Sequence, residues 1–353
     1  MVAAFGARMN LPLNETLPTD PWVMNISTFF NSFAGMYVAQ SFCHSVIAAM
    51  ITDRALKAWN IANPLVRQRF RLIVIFFPIV SFPLYQAINP ARSSALFRLE
   101  SLFDINQWIS LEIWGVIPLS LLFLLIFVLT SLVFFFQEMF PVLMHSLESK
   151  QVEHEGTHMD ADPFIAEASQ LLSIKIPDVI LIDDDEPLLF SSTGKDPVIF
   201  TSTGLSRALT KEQMQAALAH EIAHIARSRR PLLIAVFLLR IIMFFNPVVL
   251  VKFRMAVKDE EKICDDIAVS LTHNPAALAE ALKKFLHKKD EVPEPSIRKL
   301  STSNVSLEEH SHNLHLESRI KRLESGSINT REGWGVPFML TLLAVVVLNY
   351  FIV

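Results

Sequence analysis

Cysteine and charge are both scarce in this chain. With only Cys43 and Cys264 among 353 residues, a disulfide scaffold is excluded, and both are read as reduced thiols. Charged residues make up 19% of the sequence, against about a quarter in a soluble globular protein. Glycine and proline are present at ordinary levels, 9 and 19 residues, which excludes a disordered chain of low complexity. No internal repeat is visible. Residues 1–21 lack the basic stretch followed by an apolar one that marks a secretory signal. Apolar residues dominate instead: 52% are hydrophobic, 27 are Phe, and the mean hydropathy is +0.38. A single core cannot hide that much apolar surface, so the excess faces lipid.

The excess is concentrated in runs. Residues 26–51, 72–89, 109–136 and 336–353 read as four membrane spans, the second broken by Pro78 and Pro83. Basic residues mark the cytoplasmic side. Residues 1–21 hold one (Arg8), 52–71 five, 90–108 two, 137–230 eight and 252–335 fourteen. The first loop and both long polar segments therefore belong on one side, the cytoplasm. A fifth apolar run, 231–251, cannot be a simple crossing, because it would put those polar segments on opposite faces. It has to enter and return, and Asn246-Pro247 in FFNP is the natural turning point. Arg240, costly against lipid, is expected to snorkel or find a partner in the bundle.

The polar part reads as mixed α and β with helix dominant. Asp162-Pro163 starts a helix, PDVILID (177–183) and DPVIFTS (196–202) read as strands, and Thr210 with Gln213 forms a capping box that opens another helix. Asn274-Pro275 begins a further amphipathic helix, and 287–331 reads as a partly ordered linker until ESRIKRLE.

Chemistry concentrates in the helix after Thr210. HEIAH sets His220 and His224 four residues apart, on one helix face, where two imidazoles can bind one zinc. Glu221 lies off that row yet near enough to take a proton from a water that the metal activates. A second match, HEGTH at His154–His158, reads as a decoy: Gly156 costs a helix interior about 1 kcal/mol relative to Ala, and the flanks are polar. His310, His312 and His315 form a His-rich polar segment, and Asp183–Glu186 a solvated strand end. A catalytic zinc needs a third protein ligand, which EEKICDD offers. Glu261 would ligate and Asp265, one turn on, would orient a ligand imidazole, with Glu260 and Asp266 as their competitors. Ligand atoms stand about 2 Å from zinc, whereas a full crossing between His224 and Glu261 would part them by about 30 Å. The apolar run therefore has to fold back.

These residues resemble the integral-membrane gluzincins, comprising the peptidase family of the beta-lactam sensor antirepressors and the neighbouring CAAX prenyl protease and heat-shock membrane protease family. The resemblance spans about 160–325. HEIAH, then FFNPVV, then EKICD is most similar to the antirepressor-sensor family, where a glutamate three residues before a Cys-Asp pair completes the zinc site. It implies His220, His224 and Glu261 as zinc ligands, Glu221 as base and Asp265 as supporting acid. TGLSRALTKEQMQAALAHEIAH is equally similar to the prenyl protease relatives, whose strand before the helix binds substrate backbone. There are departures. Arg229 stands where the antirepressor family usually has Asp. SHNLHLESRI lacks the proline of the relatives' His-Pro, so the match at His312 and Arg319 is partial. Because the chain ends at Val353, no large extracellular penicillin-binding domain, and no beta-lactam sensing by one, is expected.

The expectation is a mainly α membrane protein with about four spans, a membrane-dipping helical hairpin and a cytoplasmic α+β gluzincin-like zinc protease domain. Its parts would be an extracytoplasmic N-terminus (1–21), a three-span region (22–136), the protease domain (137–335, with the hairpin at 231–262) and a final span (336–353). The activity would be zinc-dependent metalloendopeptidase hydrolysis, with one zinc ion, of a cytoplasmic regulator or a membrane protein. The place would be a bacterial inner membrane, with the active site facing the cytoplasm. Partners would be the substrate and the bilayer, not nucleic acid. Two other classes stay open: an idle zinc-binding receptor or scaffold, against which an intact Glu221 argues, and a transporter, suggested by the prolines and Arg240.

Overall fold

The computed structural model describes residues 28–109, 111–113, 117–140, 157–159, 162–192, 194–228, 238–290, 315–326 and 333–353. The segment 1–21, most of HEGTH, Arg229, residues 231–237, His310 and His312 lie outside them. Among the described residues three helices are long and apolar enough to cross a membrane: α1 (Phe33–Ala58), α2 (Pro64–Ile88) and α3 (Leu119–Phe134), the last running on through a π-helical turn at Phe135–Met139.

Their ends differ from the apolar runs. α1 continues through TDRALKA, because charge ends a hydropathy signal but does not end a helix. Asn63 caps α2, accepting from the Leu65 and Val66 amides, and Pro64 occupies its first position. α3 begins only at Leu119. Before it come a short helix (Ile105–Ile109) and a small ladder pairing Glu112 with Pro118 and Ile113 with Ile117. The second run is not broken: α2 passes through both Pro78 and Pro83. Pro83 lacks the N–H that would bind the Ile79 carbonyl, and the Tyr37 hydroxyl on α1 donates to that oxygen instead, at 3.3 Å.

Beyond α3 the elements include β1 (Thr157–Met159), α4 (Pro163–Leu171), β2 (Asp178–Ile182), β3 (Leu189–Ser192), β4 (Val198–Ser202), α5 (Thr203–Ala208), α6 (Lys211–Ser228), α7 (Pro247–Thr272), α8 (Pro275–Asp290), α9 (315–324) and α10 (Gly335–Tyr350). The strands form one sheet in the order β1-β2-β4-β3, with β2 and β4 parallel and both outer pairs antiparallel. His158 of HEGTH stands in β1, exposed and opposite Ile180. Asp162 caps α4 through the Phe164 amide. Thr210 and Gln213 bond reciprocally at the start of α6.

α6 lies between two cores. Leu218, Ile222 and Ile225 pack with Ile165 and Ala168 of α4, Val179 of β2 and Ile199 of β4. On its other side Ala216 and Ala219 meet α7, α8 and α9 through Ala268, Leu278 and Ile320. Small alanines at that contact let the helices come close.

Residues 238–242 are helical and 243–245 form a turn just before α7, which separates the described part of the apolar run into two helices. Asn246 caps α7, accepting from Val248 and Val249. It is fully buried and also bonds α1, accepting from Ser45 Oγ at 3.1 Å and donating to the Ser41 carbonyl at 3.4 Å. α7 then runs along α1 and α2 with two ion pairs, buried Lys252 with half-exposed Asp53 at 2.6 Å and Arg71 with Asp259, both buried. Arg240, also fully buried, has a partner in the bundle, donating to Glu138 at 2.6 Å. The apolar helix α10 has 16 residues, roughly 24 Å against a hydrocarbon core of about 30 Å. Its last carbonyls are met by a buried arginine: Arg92 donates to Tyr350 O at 3.0 Å and Asn349 O at 3.2 Å.

The cap that starts α7 is a separate stability element. Asn246→Ala should cost about 1–2 kcal/mol, read as a lower midpoint in reversible unfolding in detergent micelles; an unchanged midpoint would remove Asn246 as the anchor of α7.

Candidate metal centre

His220 and His224 stand one turn apart on the face of α6 turned toward α7, their Nε2 atoms 3.1 Å from each other. Glu261 reaches them from α7. Its Oε2 is 3.6 Å from His220 Nε2 and its Oε1 is 3.5 Å from His224 Nε2. One candidate ligand atom from each of the three lies within 4.8 Å of the others.

The other ring nitrogens face different partners. His220 Nδ1 lies 3.1 Å from Oδ1 of the fully buried Asp265, while His224 Nδ1 lies 3.5 Å from the Cys264 sulfur. Asp265 is fixed in turn by Arg319 of α9, which donates at 2.6 and 2.8 Å. Arg319 also donates to Glu261 Oε2 at 2.9 Å and lies 3.3 Å from His220 Nε2. Glu221, on the next face of α6, accepts from Ser191 Oγ of β3 at 2.7 Å.

The competitors left open by the sequence are engaged elsewhere. Glu260 points toward α2 and the end of α6, held by Arg227 and by Gln68 at 2.7 Å. Asp266 pairs with Arg322 at 2.6 Å. Adjacent residues on a helix point about 100° apart, so Glu260 and Glu261 cannot share one role. His315 faces the Lys258 carbonyl at 3.4 Å, outside the cluster, and Asp185 pairs with exposed Arg207. One residue of the centre escaped the sequence reading and another was only partly matched. Ser191 carried no signal, and Arg319, 54 residues beyond Asp265, sat in a motif that matched only in part.

The charges favour a cation among these donors. Burial opposes ionisation of Glu261, yet the neighbouring His220 imidazole and the Arg319 charge hold it down to about 2. Asp265, against the same burial, is kept well below the ordinary carboxylate range by His220 and Arg319. Burial disfavours a charged His220, but the adjacent carboxylates of Asp265 and Glu261 raise it to about 9. For His224, burial and then the His220 charge lower the pKa. Two imidazole nitrogens and a carboxylate, with a second carboxylate behind one imidazole, make the donor set of a catalytic zinc site. These residues fit zinc.

Comparison with known proteins points the same way. The family described as BlaR1 peptidase M56 matches residues 70–316. The chain is similar to a protease HtpX homolog of Janthinobacterium sp. (strain Marseille), 25% identical over 146 residues, 40% of this chain and 50% of that protein. A protease HtpX homolog of Syntrophobacter fumaroxidans is 26% identical over 210 residues, 46% of this chain and 74% of that one. The plastoglobule-localized metallopeptidase 48 of Arabidopsis thaliana is 28% identical over 86 residues, 24% of this chain and 25% of that protein. The chain thus spans half the length of the first of these relatives.

Metal analysis separates the two glutamates. Glu261→Ala should abolish bound zinc, whereas Glu260→Ala should keep one zinc with weaker affinity; the reverse pattern would assign the ligand to Glu260. Asp265→Asn should weaken zinc about 10- to 100-fold in competition with a chelator.

Proposed function

Because the chain belongs to the BlaR1-type M56 peptidase family, we propose that it is a membrane-anchored zinc metalloendopeptidase of the gluzincin type, with His220, His224 and Glu261 as ligands of one zinc ion. The observation that carries this is the convergence of three donor atoms within 4.8 Å, with Glu221 beside them. Zinc bound there would supply Lewis-acid activation of water and polarisation of the scissile carbonyl.

The chain's own residues do the rest. Ser191 holds Glu221 Oε2, which leaves Oε1 to take the proton of the attacking water and return it to the leaving amine. Asp265 orients His220, and Arg319 balances the charge of Asp265 and Glu261. β3 pairs with β4 along one edge and with no strand along the other among the described residues. An extended substrate adding there as a further strand would pass Ser191 and hence Glu221.

The topology follows from the same elements. α1, α2, α3 and α10 would be the four spans, with 1–21 outside, 22–136 holding three spans, and the protease domain (137–335) in the cytoplasm on the strength of its basic residues. The cap of α7 meets α1 at Ser41 and Ser45, inside that span. Glu261 lies roughly 22 Å further along the α7 axis. Starting near the mid-depth of a core about 30 Å thick, the metal site would stand just clear of the hydrocarbon. Substrates fitting that position are cytoplasmic regulators or cytoplasmic parts of membrane proteins, and the membrane would be a bacterial inner membrane.

The test is peptide cleavage by purified protein in lipid. Glu221→Ala should keep its zinc and lose cleavage by about 100- to 10,000-fold; cleavage at the wild-type rate would contradict the assignment. Comparing protein N-termini in cells that express wild type or Glu221→Ala would identify the substrate.

A further inference from the structure

Three elements meet at a buried polar knot next to the metal-bearing side chains. Arg227, in the last turn of α6 and 4% exposed, donates to both carboxylate oxygens of Glu260 on α7, through Nε and, at 2.6 Å, through Nη2. Gln68 of α2, 7% exposed, closes the knot from the membrane helix. Its amide donates to Glu260 Oε2 at 2.7 Å and to the Ala256 carbonyl at 3.4 Å, while its oxygen accepts from Arg227 Nη2 at 3.4 Å. One turn further along α2, Arg71 grips Asp259 and the Met255 carbonyl. Arg227 follows His224 by three residues, and Glu260 immediately precedes Glu261.

We propose that Gln68 is a positioning residue for the metal centre: through Arg227 and Glu260 it sets the rotation of α7 and its spacing from α6, and so makes a membrane helix part of the zinc site's frame. The proposal rests on the zinc-peptidase reading above. Glu260 and Glu261 diverge by about 100° around the α7 axis. Fixing Glu260 outward against Arg227 therefore fixes Glu261 inward toward the histidines. Arg227 and Glu260 alone would tie only α6 to α7. Gln68 pairs with both, so a shift of α2 is felt by His224 and Glu261 together. Alignment of that kind matters because ligands held off their geometry lose metal affinity even when all are present.

The experiment uses the full chain in lipid nanodiscs, with zinc affinity from chelator competition and the visible spectrum of the cobalt(II)-substituted protein. Gln68→Met keeps length and packing but removes the hydrogen bonds. It should weaken zinc about 10-fold and alter the cobalt bands, which report ligand geometry rather than folding. In a Glu260→Gln background the same substitution should have much less effect, because the two act as one unit. Arg227→Lys keeps a charge opposite Glu260 but loses the fork that also reaches Gln68, so it should shift the cobalt bands in the same way; it carries the test if Gln68→Met does not assemble. Wild-type zinc affinity and cobalt bands in these variants, or fully additive losses, would overturn the proposal. Zinc retained by Glu261→Ala would instead overturn the ligand assignment, whatever Gln68 does.

Discussion

Two helices that approach from different parts of the chain must hold three side-chain donors within 4.8 Å of one another, and most of the structure around α6 and α7 serves that separation. Alanines at 216, 219 and 268 let the backbones close up, which larger side chains would prevent. Asn246 starts α7 at a fixed place on α1. The Arg227–Glu260 pair then locks its rotation beside the site. The proposed fold-back of the apolar run would be the large-scale consequence, since a full crossing would part His224 and Glu261 by about 30 Å.

Charge is the second requirement. The buried or half-buried ions near the site come in compensated groups: Asp265 and Glu261 against Arg319, Asp259 against Arg71, Lys252 against Asp53. Desolvating a lone ion costs several kcal/mol, so each of these groups tolerates burial only as a set. The sets also divide the work. Arg319 and Asp265 surround the histidines, the Arg71 and Lys252 pairs join α7 to the membrane helices, and the Glu260 pair joins α7 to α6. A chain with so few charges spends many of them along one helix.

Much of this was legible in the sequence, and what was not has physical causes. HEIAH announces two imidazoles on one face because helical periodicity alone puts them there. EEKICDD announces a carboxylate helix, but the choice between Glu260 and Glu261 depends on Gln68 and Arg227, which no local pattern connects. A reversal at FFNP is expected from side-of-membrane bookkeeping and a proline; what the described residues show is a turn at 243–245 just before α7. Hydropathy misplaced the ends of α1 and α3 because it senses lipid compatibility, not helix propensity. It also read a break at Pro78 and Pro83, since the hydroxyl that serves the freed Ile79 carbonyl sits 42 residues away on another helix. Arg319 and Ser191 reach the centre only through tertiary packing. β1, three residues long, is too short to leave an alternation.

The central claim is that one zinc ion binds between α6 and α7 through two imidazoles and a carboxylate. Zinc K-edge X-ray absorption of the full chain in lipid tests it most directly. The predicted result is one zinc per chain with only nitrogen and oxygen ligands, at about 2.0–2.2 Å. A sulfur ligand at about 2.3 Å, which would draw Cys264 into the coordination shell, or a chain that binds no zinc, would contradict it.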